Sequence, residues 1–292
     1  MDWNSRRITA ILENALREDS ATRDSTTYAC IDPHQRATAT VLAKQDCVLA
    51  GVGVIARIFD VFANLDGTVI SYAEVTSHPE IFDGVRLHKG QSVAVIRHNA
   101  RVILSCERVL LNVLQRLSGI ATLTRKFVDA IAGTKARILD TRKTIPGLRL
   151  LDKYAVTCGG GFNHRLDLSD GVLIKNNHIA LAGGIVPALQ KALHNRRGEQ
   201  PLEVEVRNLE ELEQALENGA EAILLDNMTP ETVRVAVQRV QRHSRRVPLE
   251  ASGGVTLDNV RAFAETGVDY ISVGALTHSA TAVDMSLRVI PA

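Results

Sequence analysis

The feature that most constrains the fold is a regular alternation of short apolar strands and helices from about residue 135 onward. Such alternation predicts parallel strands joined by crossover helices. Six or seven units of this kind favour an α/β barrel that is closed or nearly closed. An open doubly wound sheet is the alternative, but it usually carries a glycine-rich dinucleotide turn after its first strand, and this sequence has none there. The candidate strands are Ala136–Asp140, Val172–Lys175, Leu202–Val206, Ala222–Asp226, Pro248–Ala251 and Tyr270–Gly274.

The first third of the chain has a different pattern. Apolar residues from Ile8 to Leu16 recur at helical spacing and predict a first helix. Asp66-Gly67 and Lys89-Gly90 indicate turns between short β-like runs. Arg101–Leu117 is predicted to be a long helix, so this part is predicted to be α+β. The β-like runs are Ala37–Ala43, Cys47–Gly51, Thr68–Thr76 and Ser92–His98.

Charge and hydropathy exclude several classes of protein. The 292 residues carry 34 Lys and Arg against 33 Asp and Glu, a net charge of +1, which argues against a broad nucleic-acid-binding surface. No apolar run approaches the roughly 18 residues of a membrane span, and the first residues lack the apolar core of a signal peptide. We therefore expect a cytoplasmic protein with no membrane partner, whose four distant cysteines are reduced core residues. These cysteines are Cys30, Cys47, Cys106 and Cys158.

Residues capable of chemistry stand at the ends of the later strands. In an α/β barrel the carboxyl ends of all strands face one mouth, so these residues are predicted to converge on one cavity. They are Asp140, Lys175, Glu205, Asp226, Ser252 and Gly274.

Two glycine turns follow the last two strands. Glu250–Thr256 is typical of a strand, a glycine turn and a helix start, and Ser272–Ala275 repeats the arrangement one strand later. Backbone N–H groups at such turns favour a phosphate group. The alternative is that the glycines serve only tight turns. Two consecutive units at the usual phosphate position of a barrel favour the phosphate interpretation.

Two acidic residues of one candidate strand are spaced two positions apart, so their side chains share one face of that strand. In Leu202–Val206 the apolar residues face the helices, so Glu203 and Glu205 are predicted to point into the barrel. Asp226 also ends a strand. Carboxylates at the mouth suit a divalent cation or ribose hydroxyls, and a buried ion pair with a neighbouring Lys or Arg is the alternative.

Basic residues outnumber these acids at the predicted mouth. A nearly neutral chain that gathers so many cations in one place is expected to bind an anion. The glycine-rich run before His164 indicates close approach to a ligand. Arg108, in the earlier helix, is by itself typical of an exposed surface charge. The basic residues of the mouth are Arg142, Lys143, His164, Arg165 and Lys175.

Several motifs together resemble the quinolinate phosphoribosyltransferase family. The longest is Asp140–Arg149, and the resemblance covers nearly the whole chain in order. It implies an N-terminal α/β sandwich (residues 1–115, joined by 280–292) and an incomplete TIM-like α/β barrel (residues 116–279). It also implies a homodimer, which assembles further in some members, with each active site shared between subunits. The other motifs are Glu107–Gly119, His164-Arg165, Ile174–His178, Leu225–Met228, Glu250–Val255 and Ser272–Leu276.

The resemblance implies a role for each matching position. Arg108 would reach quinolinate in the neighbouring subunit. The residues around quinolinate would be Thr141, Arg142, His164, Arg165 and Lys175. Lys143 and Lys175 would lie near the pyrophosphate, and Glu205 and Asp226 would hold ribose hydroxyls and Mg²⁺; these four would be the catalytic residues. The 5-phosphate would be bound by Ser252, Gly253, Gly254, Val273, Gly274 and Ala275.

The implied activity is transfer of phosphoribosyl from phosphoribosyl pyrophosphate (PRPP) to quinolinate with loss of CO₂, giving nicotinate mononucleotide for NAD synthesis. Three alternatives remain open: a nicotinate phosphoribosyltransferase, a relative tied to molybdate-transport gene clusters, and a non-catalytic phosphosugar-binding barrel. One departure from the family pattern is Asn176, where relatives often carry an acid. Because asparagine carries no negative charge, acidic support for Lys175 from this position is in doubt.

Overall fold

The fold is described from a computed structural model, which covers residues 1–67 and 72–292. The described residues form two units. The first comprises residues 1–123, 145–160 and 280–292, and the second comprises residues 124–144 and 161–279. Residue 115, the predicted end of the first domain, lies inside one continuous helix, Ala100–Ala130. Among the described residues, no helix has the length and apolar character needed to cross a membrane.

The first unit is built on a four-stranded antiparallel sheet in the order β12-β1-β5-β3. A two-stranded sheet pairs β2 with β4. Its strands are β1 (Arg36–Ala43), β2 (Cys47–Val48), β3 (Glu74–Thr76), β4 (Arg86–Leu87), β5 (Ser92–Asn99) and β12 (Met285–Pro291). Its helices are α1 (Arg6–Glu18), α2 (Ser25–Cys30), α3 (Val54–Asp66), the first part of α4 (Ala100–Ala130) and α5 (Arg149–Cys158), with a short 3₁₀ helix at Ala21–Arg23.

The helical face predicted near the N-terminus is confirmed, since Ile8, Leu12 and Leu16 are buried on α1. The assignment of Asp66-Gly67 to a turn between strands was wrong. Asp66 is the last residue of α3, and Gly67 caps it in the left-handed conformation. The predicted strand Thr68–Thr76 lies partly outside the described residues, and Glu74–Thr76 is a strand.

The C-terminal segment packs closely on α4. A side chain at Gly119 would collide with the backbone of Thr281, and the N–H of Val283 donates to the carbonyl of Gln115 at 3.1 Å. Only glycine permits this approach. The segment then continues into β12, which pairs with β1 along its whole length.

The second unit contains the predicted parallel sheet. Six strands lie in the order β6-β11-β10-β9-β8-β7, and all neighbours are parallel. β6 and β7 form the two edges, so the sheet is an incomplete barrel and the predicted fold class is confirmed. The strands are β6 (Arg137–Leu139), β7 (Val172–Ile174), β8 (Leu202–Val206), β9 (Ala222–Asp226), β10 (Leu249–Ser252) and β11 (Tyr270–Ser272).

The helices of this unit separate its strands. α9 begins with the Thr229 side chain accepting from the N–H of Thr232 and with Pro230 at the first helical position. The prediction that a helix opens at Thr256 was wrong, because α10 begins at Val260 and a hydrogen-bonded turn precedes it, in which the Thr256 carbonyl accepts from the N–H of Val260 at 2.9 Å. The helices are the end of α4, α6 (Asn176–Ala182), α7 (Ile185–Asn195), α8 (Leu209–Glu217), α9 (Pro230–Arg242), α10 (Val260–Ala264) and α11 (Ala275–His278).

The four cysteines form no disulfide. Cys47 and Cys106 are buried, as predicted, and burial raises the pKa of the Cys47 thiol to about 11. Cys30, however, is exposed, so the prediction that all four are core residues was wrong.

Candidate active site

The carboxyl ends of the barrel strands surround a cavity of about 640 Å³, which we call the mouth cavity. It brings together every predicted site residue except Arg108 and Asp140. The prediction that Asp140 faces the cavity was wrong, because its side chain is fully buried and accepts from the N–H of His164 at 2.8 Å. Besides the predicted residues, Asn227, Glu250, Ser272 and His278 line the cavity. The predicted members are Thr141, Arg142, Lys143, His164, Arg165, Lys175, Glu205, Asp226, Ser252, Gly253, Gly254, Val273, Gly274 and Ala275.

Two arginines give the mouth cavity a concentrated positive charge. Within the part of the chain that the structure describes, the buried Nε of Arg142 has no hydrogen-bond partner. Arg165 donates to the carbonyl of Gly171 at 2.9 Å. Burial, and then the positive charge of Arg142, lower the pKa of Arg165. A bound anion would relieve both the repulsion and the unmet hydrogen-bonding demand of Arg142.

Lys175 and Glu205 are paired across neighbouring strands. Lys175 Nζ lies 3.6 Å from Glu205 Oε2, and the Glu205 side chain is only 7% exposed. The Asn176 N–H also points to Glu205, at 3.5 Å. Acidic support for Lys175 therefore comes from Glu205 although position 176 is an asparagine. The ion pair that was predicted as the alternative is present, and Lys175 remains half-exposed toward the cavity.

The glycine turn after β10 is held by the loop after β9. Asn227 donates its N–H to the Ser252 carbonyl at 2.8 Å, and both Gly253 and Gly254 have left-handed φ angles. Because α10 starts only at Val260, the N–H groups of this turn are not those of a helix terminus. The turn after β11 differs, since α11 begins directly at Ala275.

A buried cluster of three titratable side chains lies under the mouth cavity. His164 Nε2 is 3.1 Å from Glu203 Oε2 and 3.5 Å from Glu250 Oε2. His164 Nδ1 accepts from the N–H of Arg165 at 2.8 Å. Since an imidazole nitrogen that accepts carries no proton, the proton sits on Nε2 and is donated to Glu203. In this structure His164 therefore lines the mouth cavity with its Nε2 N–H pointing to the glutamates.

Sequence reasoning placed Glu203 inside the barrel, and the structure confirms this, but it did not single out Glu250. Burial, and then the charge of Glu203, raise the pKa of Glu250 to about 8. His164, Ser272 and Lys175 act in the opposite direction without reversing the shift. The available signal was a glutamate in the middle of an otherwise apolar barrel strand, Leu249-Glu250-Ala251.

This shift makes folding stability depend on pH. Between the ordinary pKa of 4.5 and about 8, the folded chain keeps a proton that the unfolded chain releases. Stability is therefore lost as pH rises through this window. Glutamine cannot titrate. We therefore expect the melting temperature of Glu250→Gln to rise relative to that of the parent protein as pH increases through this window, by several degrees at the upper end of the window. Thermal melts of both proteins check this, and a melting-temperature difference that stays constant with pH would contradict it.

Arg108 lies in the first unit, away from the residues of the mouth cavity in sequence. It is exposed on α4 and lines a separate cavity of about 270 Å³ within that unit. Arg116 and Asp152 line the same cavity and form a two-pronged ion pair, with Nε–Oδ1 and Nη2–Oδ2 distances of 2.9 Å and 2.7 Å.

Comparison with known proteins identifies the family. Residues 24–118 match the model of the quinolinate phosphoribosyl transferase N-terminal domain, and residues 120–288 match that of its C-terminal domain. The chain is 44% identical over 277 residues to nicotinate-nucleotide pyrophosphorylase [carboxylating] of Mycobacterium leprae, covering 94% of this chain and 95% of that protein. It is 42% identical over 286 residues to a probable enzyme of the same name from Bacillus subtilis, covering 98% and 94%.

A solved structure agrees with these relatives. The crystal structure of NadC from Streptococcus pyogenes superposes with a TM-score of 0.91 at 38% identity, covering 100% of this chain and 99% of that one. Both family models and the fold therefore lead to one conclusion. This chain belongs to the quinolinate phosphoribosyl transferase family.

Proposed function

We propose that this chain transfers the phosphoribosyl group of PRPP to the nitrogen of quinolinate and releases pyrophosphate and CO₂, forming nicotinate mononucleotide for NAD synthesis. The observation that carries this proposal is the mouth cavity, which combines basic residues, two carboxylates and two glycine turns. The relatives named nicotinate-nucleotide pyrophosphorylase [carboxylating] support it, because that name describes the same reaction read in reverse.

The basic side of the mouth cavity suits a dicarboxylate. Arg142, Arg165 and Lys175 supply three positive charges, and Arg142 has an unused buried donor among the described residues. Guanidinium groups hold carboxylates through paired hydrogen bonds, while Lys acts as a point charge. Thr141 and His164 complete the wall around the ring.

The acidic side suits ribose and Mg²⁺. Glu205 and Asp226 end adjacent strands and both line the cavity. Oxygen ligands of this kind fit Mg²⁺, which usually keeps several waters and binds one or two carboxylates together with substrate phosphates. The bound ion would neutralise charge on the departing pyrophosphate. Lys143 and Lys175 would add to that neutralisation.

Positioning and electrostatics account for the proposed chemistry. The bond between the anomeric carbon and pyrophosphate breaks through an oxocarbenium-like state. The quinolinate nitrogen then bonds to the anomeric carbon in place of pyrophosphate. Arg142 and Arg165 hold the acceptor ring, while the turns at Ser252–Gly254 and Val273–Ala275 hold the 5-phosphate, so the two reacting atoms meet in fixed orientation. The alkylated ring is cationic and stabilises the electron pair left on C2 when its carboxylate departs as CO₂.

Arg108 fits this proposal only through a second subunit. We infer a homodimer in which the first unit of one subunit approaches the barrel mouth of its partner and Arg108 adds a further cation to the quinolinate site. Its exposure on α4 supports the proposal, because an exposed arginine is available to a neighbouring molecule.

Arg108→Ala should raise the KM for quinolinate by roughly 10- to 100-fold, since a charge-assisted hydrogen bond contributes about 1.5–3 kcal/mol. The KM for PRPP and the melting temperature should change little. Steady-state kinetics with each substrate varied in turn check this. Arg86→Ala, another exposed arginine of the same unit, is the matched control. A normal KM for quinolinate in Arg108→Ala would remove Arg108 from the site.

The proposed function is tested by mixing the purified protein with PRPP, Mg²⁺ and either quinolinate or nicotinate, and identifying the product by mass. Nicotinate mononucleotide formed from quinolinate supports the proposal. Product from nicotinate, without CO₂, would favour a nicotinate phosphoribosyltransferase. Binding of PRPP without any product would favour a phosphosugar-binding barrel. We further propose that the protein works in the cytoplasm, which fits the absence of disulfides among its four cysteines.

A further inference from the structure

The proposed reaction needs a proton that the substrates do not supply. When CO₂ leaves, C2 of the pyridine ring keeps the electron pair of the broken bond and must gain a proton. The basic residues of the mouth cavity are suited to hold anions. The proton donor must therefore be sought among the acids that face the same cavity.

Glu250 is the buried acid at the base of that cavity. It is 4% exposed, and it lines both the mouth cavity and a second cavity of about 450 Å³, whose lining includes the first residues of β8, β9 and β11. Among the described residues, none forms a hydrogen bond with its buried Oε1. An ionised oxygen in this position would be buried without a partner, which disfavours the carboxylate and favours the protonated acid.

Burial, and then the charge of Glu203, raise the pKa of Glu250 and so hold it in the acid form. Glu203, on β8, accepts the Nε2 proton of His164 at 3.1 Å and so places a negative charge beside Glu250. His164, Ser272 on β11 and Lys175 after β7 favour the charged form. The balance leaves the pKa of Glu250 at about 8, so most of it is protonated at neutral pH.

A metal ion is the other occupant that three such side chains suggest, since their ligand atoms lie within 4.8 Å of one another. Coordination through His164 Nε2 would require a proton on Nδ1. Nδ1, however, faces the N–H of Arg165 at 2.8 Å, and two N–H groups would then oppose each other. The geometry therefore favours a proton over a metal ion in this cluster.

We propose that Glu250 is the acid that protonates the ring carbon after decarboxylation, with His164 and Glu203 as its positioning residues. This inference rests on the proposed function. The bond from C2 to its carboxylate breaks, CO₂ leaves, and the electron pair on C2 takes the proton of the Glu250 carboxyl group. Glu250 becomes a carboxylate and regains a proton from water, for which the second cavity that it lines provides a route.

The test separates the two chemical steps in Glu250→Gln, which keeps the shape of the side chain and removes the acid. In single turnovers, pyrophosphate release should stay within about threefold of the parent protein. Release of CO₂ should fall by roughly 10²-fold, a usual contribution of general acid catalysis, because an unprotonated ring carbon can recapture CO₂. Quinolinate mononucleotide should accumulate meanwhile.

Glu221→Gln is the matched control. Glu221 lines the second cavity but not the mouth cavity, and it pairs with Arg196, so both steps should remain at the parent rate. In the parent protein, CO₂ release should also decline as pH rises through about 8, and this decline should be absent from Glu250→Gln. A structural role would slow both steps equally and leave the pH profile unchanged.

Equal slowing of both steps, or unchanged CO₂ release in Glu250→Gln, would overturn the inference while leaving the proposed function in place. A parent protein that releases no pyrophosphate with quinolinate would overturn the proposed function and this inference with it.

Discussion

Nicotinate should be used on the order of 10⁴-fold less efficiently than quinolinate, measured as kcat/KM. It lacks the second carboxylate, and a site built around a polar group rejects an analogue without that group by about this factor. The physical reason lies in Arg142 and Arg165. Burial, and then the positive charge of Arg142, lower the pKa of Arg165, and an acceptor with one carboxylate leaves one of these partly buried cations unpaired.

Arg142→Gln provides the control for this prediction. It should lower kcat/KM for quinolinate by at least tenfold and leave the value for nicotinate nearly unchanged, since about 1.4 kcal/mol of lost interaction is a factor of ten. The ratio of kcat/KM for quinolinate to kcat/KM for nicotinate should therefore fall in this variant. Comparable kcat/KM for the two acids in the parent protein would contradict the dicarboxylate site.

Gly253→Ala should raise the KM for PRPP by roughly 100-fold, the equivalent of about 3 kcal/mol. Gly253 has a φ of +90°, and an added Cβ would lie 2.6 Å from Asn227 Cγ and 3.0 Å from the Asn227 backbone nitrogen. Because Asn227 holds the turn through Ser252, it cannot move aside without moving the predicted phosphate site. KM for PRPP at saturating quinolinate is the quantity to measure.

Gly254→Ala is the matched control within the same turn. Its φ is also positive, at +64°, but an added Cβ would meet nothing within 4 Å. Only the left-handed strain of about 1–2 kcal/mol applies, so its KM for PRPP should rise by no more than about tenfold. Equal effects of the two substitutions would show that steric contact with Asn227 does not shape the phosphate site.

Much of the barrel was predictable because its signals are local. Leu202–Val206 and Ala222–Asp226 match the observed strands residue for residue, and the alternation in β8 correctly placed Glu203 and Glu205 inside. The rule that strand ends face one mouth then brought distant residues together. The fourteen predicted residues that line the mouth cavity were found in this way or through the family resemblance.

The errors arose where two local signals competed. Thr256 resembles a helix cap, but residues 257–259 form a turn and the helix begins at Val260. Asp66-Gly67 resembles a hairpin turn, yet the spacing of Val54, Ile58 and Phe62 already indicated the helix that ends there.

The contacts within the cluster around Glu250 could not be predicted from the sequence. His164 and Glu250 are 86 positions apart, and their contact depends on the order of strands in the sheet. The tautomer of His164 depends on one backbone N–H, that of Arg165, whose direction only the folded loop determines. Long-range contacts of this kind decide protonation, and a strand-by-strand pattern carries no information about them.

The central claim is tested most directly by following both products in one sample. Purified protein is mixed with PRPP, Mg²⁺ and quinolinate labelled at either the C2 or the C3 carboxylate, and pyrophosphate and labelled CO₂ are counted together. We predict one labelled CO₂ for each pyrophosphate from the C2-labelled acid and none from the C3-labelled acid. Pyrophosphate without CO₂, or label released from C3, would contradict the proposed decarboxylating transfer.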